Sequence, residues 1–420
     1  MLARLRSLSR SETGRAAELG IASMAANVVA LGFTVVFTRV VGQGGYGSLA
    51  ALLSTFLILN VPGYALQTTV AREVSGAIAA GAERPGAAVG RWLKRLAVAA
   101  VALAGVAALA REPIAAVIGV DEFPWAAAAT PVAGALWLML SIERGALVGF
   151  QRYRLVGISL VAEQSARLLF GLLLAGAGLD VTGAFIGTPL ALAVVALVLL
   201  RPLRGHVGSF SRGPGVVGER LRDLLVRAWV PIAALGLVAW LQDGHIIIVK
   251  HLASDHDAGA WAALAVAGKA IMFVAIGLSG YVVPEVARRF GGGDDPRPVL
   301  RRVLGLIAVL AVPMVLIYFV AGDTVLDLAF RVSGGGGALP LVGLAMSLLA
   351  VSYLCVQFQL AMHRVRFVLV LVVAAVAMPL LLLAIGSSLT TLGLGLAALN
   401  LALAGAMLAL ALPRAGWIRR

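Results

Sequence analysis

The sequence predicts an all-α integral membrane protein, with twelve transmembrane helices in two six-helix lobes related by an internal repeat. Three observations carry this. Apolar residues make up 61% of the 420 and charged ones 13%, with a mean hydropathy of +0.98, against roughly 45–50% apolar and ~25% charged in a soluble domain. The apolar stretches are continuous runs long enough to cross a bilayer as helices, which takes ~20 residues, rather than the alternating segments of about ten residues of a membrane barrel. Finally, the chain echoes itself at nearly one spacing. FTRVVGQGGYGSLAAL from Phe37 returns as IVKHLASDHDAGAWAAL from Ile248, ARE at Ala71 as ARR at Ala287, and QRYR at Gln151 as HRVR at His363. The offsets all lie at roughly 210 residues, so each half reads as a copy of one unit. The lobes are expected at 1–207 and 208–420.

Taken in order, a basic leader (Arg4, Arg6, Arg10, Arg15) precedes span 1, Leu19 to Thr38. That run is too long for the apolar part of a signal peptide, and no small-residue cleavage context closes it, so it is expected to be retained. Span 2 covers Tyr46 to Glu73, with Pro62-Gly63 near its middle predicting a kink. Span 3 covers Trp92 to Ala110, and an acidic-leaning link with Glu112, Asp121 and Glu122 leads to span 4, Trp125 to Phe150. Spans 5 and 6 are Val156 to Gly178 and Val181 to Leu200. The polar stretch Arg201 to Arg227, with Gly, Pro and Ser, joins the two halves. Spans 7 to 10 are Trp229 to Lys250, Gly259 to Phe290, Val303 to Gly322 and Leu339 to Arg364. Residues Phe367 to Pro413 carry no charge and are too long for one crossing. They predict two helices, broken near Gly386-Ser387-Ser388 or Gly393.

Lysine and arginine set the orientation. With a cytoplasmic N-terminus, 28 fall in inner segments and four in outer loops (Arg39, Arg111, Lys250, Arg331), while Arg167 and Lys269 lie inside spans. This bias predicts both termini inside. It also accounts for the net charge of +14 through a basic face on anionic lipid heads, without nucleic acid.

Catalytic signatures are missing. There is no HExxH, no phosphate-binding GxxxxGK[ST], no paired carboxylates in one span and no serine elbow, so neither enzyme nor cofactor is expected. The single cysteine, Cys355, excludes an internal disulfide and reads as a small buried hydrophobe. Three histidines near the end of span 7 (His245, His251, His256) read as solvated loop residues, not a metal site.

Charges inside spans are costly and face a cavity or a partner. Glu163 and Arg167 are four apart in span 5, in the favoured order for a pair, which leaves an intrahelical ion pair and a cavity role both open. Asp243 in span 7 can hold a cation, bind a proton or pair with Lys269, which stands alone about ten residues into span 8. Asn27, Gln67, Gln357 and Gln359 read as polar glue between helices, and Glu143 and Arg144 as side chains snorkelling from the inner end of span 4. These charges are not duplicated, whereas the scaffold is, as in a transporter with an asymmetric central cavity.

The motifs FTRVVGQGGYGSLAAL, TTVAREV, FQRYR, QDGHIIIVKHL, AGAWAAL–AGK and VVPEVARRF span most of the chain. Together they resemble the polysaccharide (O-antigen type) flippases of the multidrug/oligosaccharidyl-lipid/polysaccharide exporter superfamily. One departure is AGAW at Ala258 to Trp261, where the family often has Gly-x-Tyr. The resemblance implies a V-shaped transporter whose lobes rock about a central cavity. It implies movement of an undecaprenyl-diphosphate-linked oligosaccharide across the bacterial plasma membrane; a monomer is expected, with H+ or Na+ open as a coupling ion. A diphosphate head needs cations, for which Arg39, Arg72, Arg167 and Lys269 are candidates, with Glu163, Asp243, Asn27 and Gln67 completing the cavity set. The competing reading is a multidrug or small-cation antiporter of the same architecture, with Asp243 as its coupling acid.

Overall fold

The computed structural model describes residues 12–81, 87–207 and 229–412. Arg4, Arg6 and Arg10 of the basic leader, and residue 208, where the second lobe was expected to start, lie outside them. Among the described residues the secondary structure is helical, without a strand.

Fifteen α-helices are described. The first eight are α1 Glu12–Val40, α2 Gly42–Leu59, α3 Val61–Ala79, α4 Ala87–Leu109, α5 Arg111–Ile118, α6 Pro124–Gly149, α7 Tyr153–Leu174 and α8 Asp180–Val207. The remaining seven are α9 Trp229–Leu252, α10 Asp255–Gly268, α11 Ala270–Gly291, α12 Arg297–Phe330, α13 Leu339–Ala361, α14 Phe367–Ile385 and α15 Leu389–Ala411. Eleven stretches are long and apolar enough to cross a membrane. One of them, Tyr153–Gly205, has 53 residues and turns back on itself where Gly178 (φ 91°) and Asp180 (φ 45°) take positive φ. It makes two crossings, so the described residues make twelve. Large apolar side chains such as Leu109 (87% exposed) and Val320 (84%) point outward, as a lipid solvent allows and water does not.

Helix ends follow local chemistry. Ser254 caps α10 by accepting from the Asp257 amide at 3.2 Å. Gly119, at φ 80°, closes α5, a short helix inside what reads from the sequence as a plain link. Of the two candidate breaks in the uncharged tail, Gly386–Ser388 is the one used.

Two spans differ from expectation. Span 2 does not merely kink at Pro62. It is two helices joined at Asn60, and Pro62 sits in the first turn of α3, where a missing N–H costs nothing. The Asn60 carbonyl at the junction accepts both from the Gly63 amide (3.0 Å) and from Trp137 Nε1 (3.0 Å). Span 8 is likewise two helices, and Lys269 is the residue between α10 and α11. Both interruptions are buried in protein, where freed backbone groups find partners.

The chain clusters into two compact units: residues 1–41 with 55–229, and residues 42–54 with 230–420. In the first, α6 is central, packed by α3, α4, α5 and α8, while α7 packs between α1 and α8. In the second, α13 is central, packed by α10, α11, α12 and α15, with α14 outside on α15. Close helix contact rests on small residues. A Cβ on Gly145 of α6 would stand 2.5 Å from the Gln67 carbonyl of α3.

The central helices α6 and α13 end alike. Arg152 N–H donates to the Leu147 carbonyl (2.8 Å) and Gln151 N–H to Val148 (2.9 Å). In the second half Arg364 N–H donates to Gln359 (3.0 Å) and His363 N–H to Leu360 (3.0 Å). This is one Schellman cap built twice, at matched positions of the two copies.

Candidate functional site

Among the described residues, each unit holds a buried cluster of charge. In the first unit, Arg144 of α6 is 1% exposed and reaches α7 with its planar fork. Its Nε donates to Ser159 Oγ at 2.9 Å, and its Nη2 to the Ser159 carbonyl at 3.0 Å and Glu163 Oε2 at 2.7 Å. Its guanidinium carbon also lies 5.6 Å from the Trp137 ring centre. Such a forked arrangement is what makes arginine suited to a buried ion pair. Glu143, the preceding residue, is fully buried, and neither carboxyl oxygen has a hydrogen-bond partner.

Here the structure corrects the sequence reading. Glu143 and Arg144 do not snorkel; they are interior. The signal was available, since they stand six to seven residues before the end of span 4, ~10 Å deep at 1.5 Å per residue. Arg144, on another helix, is a partner of Glu163 that span-5 spacing alone did not suggest. The Arg167 guanidinium carbon lies 4.4 Å from the Phe33 ring centre of α1, within cation–π range.

In the second unit, Lys269 is ion-paired with Asp243 of α9, one of the alternatives open from the sequence. The residues are 7% and 1% exposed. Gln242 Nε2 donates to the other oxygen of Asp243 at 3.2 Å. His245, two residues on, is fully buried, and its Nδ1 accepts from Trp261 Nε1 at 3.0 Å with the rings perpendicular. With Nδ1 an acceptor, the neutral imidazole carries its proton on Nε2. His245 is therefore no loop histidine. Its position inside an apolar run, two residues from Asp243, was the clue.

The other predicted residues are elsewhere. Arg39, Arg72 and Asn27 are exposed, and Gln67 is half-buried. Gln359 faces a neighbouring helix, whereas the bond of Gln357 stays within α13 and it is Tyr353 that reaches across. Gln357 Nε2 donates to the Tyr353 hydroxyl (2.7 Å), which bonds Ser279 of α11 (3.2 Å), and Gln359 lies 4.0 Å from Met407 Sδ of α15. Among the described residues no three His, Cys, Asp or Glu side chains converge as a metal site.

No protein-family model matches the chain, and no curated protein matches it. Solved structures do. The fold is shared with MATE transporters. An inward-facing multidrug resistance MATE family transporter of the MOP superfamily superposes with a TM-score of 0.76 at 12% identity, over 92% of this chain and 93% of that one. A mutant of the Vibrio cholerae MATE transporter VcmN gives 0.63 at 16% identity over 97% and 96%. The eukaryotic MATE transporter AtDTX14 gives 0.65 at 15% over 99% and 97%. The likeness runs end to end, and at these identities it defines the fold.

Proposed function

We propose that this chain is a membrane transporter of the MOP type, a flippase that moves an undecaprenyl-diphosphate-linked oligosaccharide from the inner to the outer leaflet of a bacterial plasma membrane. It works as a monomer by alternating access of two lobes, 1–207 and 208–420, with both termini cytoplasmic and H+ or Na+ as the coupling ion. The fold likeness to transporters along the whole chain supports the transport half of this reading, and the motif resemblance supports the lipid-linked cargo. The observation that favours an anionic head group is how the charges are used. Asp243 and Glu163, two of the three buried carboxylates among the described residues, already hold Lys269 and Arg144. Arg39 and Arg72 remain exposed, and guanidinium forks suit phosphate oxygens.

The reading is tested by thermal unfolding of the purified protein with undecaprenyl diphosphate, undecaprenol or a cationic dye. A ligand that binds only the folded state, present at a hundred times its Kd, stabilises by ~2.7 kcal/mol. Stabilisation by the diphosphate alone, lost in Arg39→Ala/Arg72→Ala, is the expected result. Stabilisation by the dye instead, abolished by Asp243→Asn, overturns the lipid cargo in favour of the antiporter.

A further inference from the structure

The far end of α12 carries a carboxylate that the transport reading does not use. The helix has 34 residues, or ~50 Å at 1.5 Å per residue, against a hydrocarbon core of ~30 Å. It does not run straight through. Ala321 leaves helical geometry at φ −129° and ψ 26°, one residue before Gly322, where span 9 ends as read from the sequence. Just before the bend, the apolar side chains of Phe319 and Val320 are 78% and 84% exposed. Just after it come Asp323 and Thr324, both exposed.

The bend and the glycine-rich turn that follows α12 enclose a notch of about 360 Å³ within the second unit, lined by Phe319, Val320, Asp323, Thr324, Gly337 and Pro340 among others. The turn is shaped around the carboxylate. Asp323 Oδ1 accepts from the Gly336 amide at 3.1 Å, and a Cβ on Gly336 would stand 2.0 Å from that same oxygen, so the site needs glycine there. Gly334 and Gly335, at φ 78° and 105°, bring the chain round. Oδ2 is left over. Among the described residues Asp323 joins no ion pair, unlike Asp243 and Glu163.

A carboxylate one turn from side chains that face lipid is costly unless it is hydrated or paired. The size and lining of the notch say which cation suits it. Its volume lies within the ~300–1,000 Å³ of small-molecule sites and is about ten times the ~30 Å³ share of one water, so a bare ion would not fill it. A hard metal ion also takes several oxygen ligands, and no three His, Cys, Asp or Glu side chains converge among the described residues. An ammonium on a short methylene chain meets both demands.

We propose that this notch binds a primary ammonium group, the head of an aminophospholipid or a free small amine. Asp323 Oδ2 and the Thr324 hydroxyl accept its N–H groups, the first as a charge-assisted bond, and the methylenes lie along Phe319, Val320 and Pro340. On the orientation proposed above, the notch opens at the level of the outer-leaflet lipid heads. The site does not depend on which cargo the protein moves.

The test is thermal unfolding of the full chain in detergent, titrated with dihexanoyl phosphatidylethanolamine, with the matching phosphatidylcholine and phosphatidylglycerol, and with free ethanolamine. The ethanolamine lipid should raise the apparent Tm saturably. The choline lipid, whose nitrogen bears no N–H, and the glycerol lipid should not. Asp323→Asn keeps an acceptor for the Gly336 amide but loses the charge, and should weaken the ethanolamine lipid by about tenfold or more, the size of one hydrogen bond to a charged group. If that variant does not fold, Gly337→Leu is the second arm. A Cβ on Gly337 meets nothing within 4 Å, so leucine fills open space in the notch, and the same loss is expected. Stabilisation by free ethanolamine at equal concentration assigns a soluble amine, whereas stabilisation by the lipid alone assigns the lipid head. Equal stabilisation by the choline lipid, no stabilisation by either amine, or titrations unchanged in the variants overturns the site.

Discussion

Gln151 and His363 are repeat counterparts and hold the same left-handed backbone, φ 59° and 55°. Each follows the central helix of its unit, and each donates the same cap bond. Side chains other than glycine pay ~1–2 kcal/mol for this conformation. Gln151→Gly and His363→Gly should each stabilise by about 1 kcal/mol, and valine at either site should destabilise. Thermal unfolding in detergent measures both, and matched shifts at the two sites would mark one structural unit used twice.

Lys269 and Asp243 predict a strong non-additivity. Lys269→Met leaves a buried carboxylate without its cation and should cost about 3–5 kcal/mol. Lys269→Met/Asp243→Leu removes the charge along with its partner and should recover most of that loss. A double-mutant cycle on unfolding free energies decides it. Additive losses would mean the two side chains do not interact.

Glu143 predicts the opposite sign from Glu163. Glu143 sits in the interior with both oxygens unpartnered, a cost of ~1–3 kcal/mol for such a group. Glu143→Met should therefore leave stability unchanged or raise it. Glu163→Met strands Arg144 and should lower it by several kcal/mol. Equal losses in the two variants, in the same unfolding assay, would show that Glu143 has a stabilising partner.

Gly145 and Gly105 form a matched control. A methyl on Gly145 meets the Gln67 carbonyl at 2.5 Å, whereas one on Gly105 of α4 meets nothing within 4 Å. Gly145→Ala should destabilise by about 1–3 kcal/mol by pushing α3 from α6. Gly105→Ala should be neutral or stabilise by up to about 1 kcal/mol. Thermal unfolding of the two single variants checks both signs.

Much of the fold was legible in the residues, for one reason. In hydrocarbon, every backbone amide must be satisfied within its own segment, so an apolar run of sufficient length is a helix and its charged flanks are its ends. The break at Gly386 to Ser388 and the reversal at Gly178 were visible as glycines between apolar runs. The break at Lys269 was not. A glycine does precede it, Gly268, but it stands inside an apolar run with no polar residue beyond Lys269 to mark a turn.

The sequence by itself determined the class, the twelve crossings, the internal repeat and the short list of interior charges. These follow from composition, run length and spacing, which are properties of a chain read in one dimension. Tertiary structure decided who meets whom: Glu163 with Arg144, His245 with Trp261, and Gln43 with Ser333, 290 residues away. Helices apolar on nearly every face carry little signal of their rotation about their own axes. Partner choice between crossings therefore depends on depth and rotation in the packed bundle, set by glycine contacts such as Gly145 on Gln67 and Gly47 on Gly259.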